Sequence, residues 1–112
     1  MAKVTRSIKV RQRACVEYNV IGSADGTSLS GLDSLQLSMA DTGTGDKLIT
    51  LPEALQDICV QLSVGTADCI AQVGTITSTS VQVLSFDATD GTTAKDAIVH
   101  IRIVGSKTAD RY

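Results

Sequence analysis

A chain of 112 residues with 43% hydrophobic and only 3% aromatic side chains fits a single domain, one able to bury roughly 65% of its unfolded surface. No window has the apolar length a bilayer span needs, and three cysteines without a C-x-x-C pair exclude a zinc cluster and a full disulfide framework. The net charge of −2 hides segregation: the first sixteen residues carry five bases and no acid, whereas the rest carry five bases against twelve acids, or −7.

The start, MAKVTRSIKVRQRA, lacks the continuous apolar run of a signal peptide, so the expectation is a soluble protein made in the cytoplasm. Residues 1–13 read as a basic arm. Val4, Ile8 and Val10 fall at even positions, with Lys3, Lys9 and Arg11 at odd ones, so the arm also fits an edge strand with one charged face. Lys3, Arg6, Lys9, Arg11 and Arg13 suit an anionic surface, either an acidic protein face or nucleic acid. In Ala14 to Ile21, Val16, Tyr18 and Val20 alternate with Glu17 and Asn19, which predicts a strand ending at Gly22. Gly22 to Asp33 is loop by composition, with Asp25-Gly26 as its turn.

Leu35, Leu37 and Met39 alternate with polar residues. After Thr42-Gly43-Thr44-Gly45-Asp46, the run from Leu48 to Leu51 completes a predicted hairpin. Pro52 to Asp57 suits a helical turn or two, with Pro in the first turn and Glu53 near the positive end of the dipole. Ile58 to Val64 and Cys69 to Ile76 read as a second hairpin around Gly65 to Asp68. In the stretch from Gly74 to Gly105, Val81 and Val83 form one period-two face and Ala97, Val99, Ile101 and Ile103 another. Asp87 to Ala94 between them reads as the loop of a long antiparallel hairpin. Ser106 to Tyr112 is a polar tail.

The sum is an all-β antiparallel β-sandwich or jelly roll of seven or eight short strands with an extended N-terminal arm. The sandwich domain spans 14–105 and the tail 106–112. Each cysteine reads as a small buried hydrophobe.

Chemistry is sparse. His100 is the single histidine, on a strand between Ile98 and Arg102, and a structural role is expected for it. Gly43 to Asp46 lacks the Lys-Ser/Thr of a phosphate loop and joins strands, so it reads as a hairpin turn. Asp87, Asp90 and Asp96 miss the EF-hand spacing, and their expected role is to satisfy main-chain N–H groups in Asx-turns. Few aromatics argue against a sugar platform and against single-strand nucleic-acid stacking. The expectation is a protein that is not an enzyme and needs no cofactor or metal.

Two stretches, 41–50 with its Gly-Thr-Gly-Asp turn and 77–97 (TSTSVQVLSFDATDGTTAKDA) with its Phe-Asp strand end, resemble small virion structural proteins of tailed bacteriophages. Their order is similar to the jelly roll of the complement globular-head and tumour-necrosis-factor type. The resemblance covers about two thirds of the chain and transfers no catalytic residue; sparse aromatics and a basic arm depart from typical members.

The resemblance implies a capsid decoration or cement protein on the virion surface, a homo-oligomer with a trimer favoured, and the major capsid protein as partner. It implies no membrane and no specific nucleic-acid partner. Charge segregation assigns the attachment to the arm, with Lys3, Arg6, Lys9, Arg11 and Arg13 facing acidic shell surface and Val4, Ile8 and Val10 adding a strand to a sheet edge. The alternatives are a head-fibre, tail or baseplate component, and a host-surface carbohydrate-binding module using loops 22–33 and 87–96.

Overall fold

A computed structural model describes residues 13–108, which form eight strands in two antiparallel four-stranded sheets. In chain order these are β1 (Arg13–Gly22), β2 (Leu29–Ser30), β3 (Ser38–Gly43), β4 (Asp46–Thr50), β5 (Gln56–Val64), β6 (Cys69–Ile76), β7 (Ser80–Asp87) and β8 (Val99–Thr108). The first sheet runs β2-β1-β8-β5 and the second β3-β4-β7-β6. The all-β sandwich is what strand spacing predicted. The order β3-β4-β7-β6 opposite β5-β8-β1 is that of the ABED and CFG sheets of an immunoglobulin-type sandwich, with the strand in the G place supplied from the start of the chain.

Period-two alternation places the core. Tyr18 and Val20 of β1, together with Val99, Ile101 and Ile103 of β8, turn inward against Ile49 of β4 and Val81 and Val83 of β7, all 3% exposed or less. Half-buried Val60, Leu62, Met39, Ala71 and Val73 pack around them. Replacing a fully buried isoleucine such as Ile103 by Ala removes three carbons from this layer and costs about 2–5 kcal/mol.

Several expected pairings differ. β7 and β8 do not form a hairpin: β7 lies between β4 and β6, and β8 between β1 and β5. Their inward faces meet across the core, because alternation sets which face a strand buries and leaves its lateral partner open. The same holds for β5 and β6, which sit in different sheets. The tight turns are the Thr44-Gly45 link of β3–β4 and the 77–79 link of β6–β7.

Pro52 to Asp57 is not helical. Leu51 and Leu55 donate their N–H groups to Thr79 and Ser78 of the β6–β7 turn, which anchors both buried leucines without a helical turn. Asp57 then takes a left-handed φ of 54°, where the β5–β8 register shifts. Leu35 does not join a strand and is 100% exposed. Asp33 exchanges main-chain and carboxylate bonds with Asn19, and the turn that follows swings Leu35 outward while Leu37 enters the core. β8 runs to Thr108, into the segment read as tail, because pairing with Arg13 to Cys15 uses main chain and needs no apolar side chain.

Candidate interaction surfaces

Seven of the eight proposed attachment residues, Lys3, Val4, Arg6, Ile8, Lys9, Val10 and Arg11, lie outside the described residues. Arg13 opens β1 opposite Thr108. That end of the sandwich also holds the β4–β5 connection and the β6–β7 turn, whereas the β1–β2, β3–β4, β5–β6 and β7–β8 connections gather at the other. The far end carries Asp25, Asp41, Asp46, Asp68, Asp87, Asp90 and Asp96. The acid excess of residues 17–108 is therefore gathered at one end of the sandwich.

Several far-end carboxylates accept hydrogen bonds from their own loops. Asp25 accepts from the Ser23 hydroxyl at 2.7 Å and from the Thr27 hydroxyl and N–H, which hold its pKa down to about 2. Asp90 is held at about 2 by the Thr93 hydroxyl and the N–H groups of Thr93 and Thr92. Asp87 is lowered by the hydroxyl and N–H of Thr89. Asp96 accepts from the Gly45 N–H at 2.7 Å. The Asx-turn reading of Asp87 and Asp90 is borne out. Among the described residues no three His, Cys, Asp or Glu side chains group as a metal site.

Lys47 is the outlier of this end. It is 2% exposed, and its ammonium donates to the Ala97 carbonyl at 2.5 Å. Burial pushes its pKa below the ordinary lysine value, against the pull of Asp96, Asp25 and Asp41. The bond ties β4 to the segment leading into β8.

The outer face of the first sheet is mixed, with an ion-paired centre. Across β1, β8 and β5 its rows are Ile21–His100–Ser63, Asn19–Arg102–Gln61 and Glu17–Val104–Cys59. Arg102 donates twice to Glu17 at 3.0 Å and once to Gln61 at 2.9 Å, and with Asn19 it holds the Glu17 carboxyl at about 2. A groove of about 470 Å³ runs over the first two of these rows, walled by Leu32, which is 84% exposed. His100 is exposed here, in one row with Ser63 and Ile21. Cys15 and Cys59 face outward and are exposed, and Cys69 is half-buried, contrary to the buried expectation. Their parity on the strands matches that of Glu17 and Gln61, which assigns the first two to the solvent side.

The outer face of the second sheet is different. Its side chains include Ala40, Leu48, Leu84, Phe86 and Ile70, with Asp46, Gln72 and Gln82 among them. Gln82 reaches both Asp46 and the Thr75 N–H, and so lies flat on the sheet. Sequence reasoning missed this surface. Its signal is apolar residues at the off-parity positions of strands whose inward parity is already filled, as in Val83-Leu84-Ser85-Phe86.

No protein-family model, curated protein or solved structure matches the chain.

Proposed function

We propose that this chain is a structural component of a tailed-phage virion, a decoration or cement protein that binds the capsid surface and ties neighbouring shell subunits together. The observation that carries the reading is charge polarity: five bases and no acid in the first sixteen residues, leading into a sandwich whose far end bears seven aspartates. Such a body attaches by one end and keeps its acidic loops away from an acidic shell. The major capsid protein is the partner. Lys3, Arg6, Lys9, Arg11 and Arg13 meet its acidic surface, while Val4, Ile8 and Val10 add a strand to an open sheet edge. Copies joined as a homo-oligomer hold through several arms, so a weak single contact suffices.

Co-sedimentation with empty capsids tests it. The native chain is expected to pellet with shells, and Arg6→Glu, Lys9→Glu and Arg11→Glu together are expected to release it. Full occupancy by that variant overturns the arm as attachment element. A copy number of a few per particle, found by gel densitometry of virions, replaces decoration with a head-fibre, tail or baseplate role.

A further inference from the structure

The geometry points to the outer face of the β3-β4-β7-β6 sheet as the surface through which two copies of this chain associate. An antiparallel sheet that faces water carries polar side chains on its outward positions. The first sheet keeps a charged, ion-paired centre, with Arg102, Glu17, Gln61, Asn19 and His100 outward beside Ile21, Val104 and Cys59. In the second, Leu48, Leu84, Phe86 and Ile70 stand outward on three adjacent strands, among Ser38, Asp46, Thr50, Gln72, Ser80 and Gln82, and Ile70 is 45% exposed. None of the four appears among the residues that pack on the core.

The occupant is argued from charge and area. Among the described residues no lysine or arginine of these four strands stands on this face, because Lys47, the one base in them, turns inward. Asp46 is the only carboxylate of its outward rows, and it is covered by Gln82. The loop end with its seven aspartates repels its own copy, whereas a face nearly free of charge carries no such repulsion and lets like meet like.

The strands are six, five, eight and eight residues long. At about 3.3 Å per residue and 4.8 Å between strands they offer roughly 450 Å² per copy, or about 900 Å² for a pair. That exceeds most packing contacts and falls in the range of weak specific dimers. One flat patch meets itself about a two-fold axis, whereas a trimer needs two different patches. The pair is thus a dimer, in place of the trimer expected from the sequence.

This deepens the virion reading by naming the face that copies share. The test runs without shells, so that a chain which dimerises but ignores capsids fails only the attachment reading, and one that binds capsids as a monomer fails only this one. Sedimentation equilibrium up to about 1 mM is expected to show a monomer–dimer equilibrium with a dissociation constant in the micromolar range or weaker. Dilution is expected to shift amide NMR signals on β4, β7 and β6.

Leu84→Glu with Ile70→Glu places like charges within the patch and is expected to abolish association while leaving the circular-dichroism spectrum unchanged. Val104→Glu, on the opposite face, is expected to leave association intact. A monomer throughout, a trimer mass, dilution shifts on β1, β8 and β5, or a doubly substituted chain that still pairs each overturns the proposal.

Discussion

Replacing Gly45 by Ala tests whether the end of the sandwich is locked as closely as the geometry implies. Gly45 has φ 64°, where a side chain costs about 1–2 kcal/mol. A Cβ there would stand 2.4 Å from the Ser85 carbonyl oxygen and 2.9 Å from the Lys95 nitrogen, both main-chain atoms that no rotamer change can move. The hairpin tip must back away, which strains Ser85 N–H to Gly45 O at 2.8 Å and Gly45 N–H to Asp96 at 2.7 Å. Losing both adds about 2–3 kcal/mol. Gly91 is the control: its φ is 70°, but its Cβ would meet only Ile70 at 3.9 Å. Equilibrium urea unfolding is expected to show Gly45→Ala about 4 kcal/mol less stable than the native chain, and Gly91→Ala about 1 kcal/mol. Equal losses would refute the reasoning, because they would reduce the tip to its backbone angle alone.

Lys47 holds its proton less tightly folded than unfolded, so the native chain should gain stability relative to Lys47→Met as pH rises toward 10.5; a pH-independent difference between the two unfolding curves would count against the burial of its charge. Arg102→Ala should raise the Glu17 carboxyl from about 2 toward 4.5 in a carbon NMR titration. Because that pKa is depressed in the fold, the native pairing stabilises above the unfolded value and its contribution fades as pH falls from about 4.5 to 2. In a Tyr112→Phe background, ultraviolet titration should find Tyr18 at about 12, raised by burial and by its bond to Glu53, and Glu53→Gln should lower it. A thiol reagent should label Cys15 and Cys59 in the folded chain well before Cys69; three equal rates would contradict the strand parity.

Strand existence and inward faces were legible because period-two alternation is a local signal. Ala97, Val99, Ile101 and Ile103 could be assigned to the core from spacing alone. Partnership was not, since β7 and β8 alternate equally well as a hairpin or as strands on opposite sides of the core. The 11-residue link between Asp87 and Val99, long for a hairpin, was the available clue. Helix signals at Pro52 to Asp57 were overridden by tertiary bonds from Leu51 and Leu55 that no local window contains. Charge segregation was legible as a count, but its conversion into a spatial polarity required knowing that four acidic connections fold to the end opposite Arg13.

The parity of β4 draws these strands of reasoning together. Lys47-Leu48-Ile49-Thr50-Leu51 offers two faces, one with Lys47, Ile49 and Leu51 and one with Leu48 and Thr50. The fold buries the first, taking a lysine out of water to bury two apolar side chains, Ile49 at 0% and Leu51 at 5% exposure. A one-residue slip would free Lys47 but strand both of them, a loss of about 3–6 kcal/mol of side-chain burial against a single Leu48 gained. Core packing therefore accounts for Lys47 inside, and the Ala97 carbonyl makes that tolerable. It does not account for Leu48 outside beside Leu84, where a polar residue would serve the core equally well. The apolar choice at both positions is explained by a surface that is covered when the protein works, and the dimer face supplies that cover.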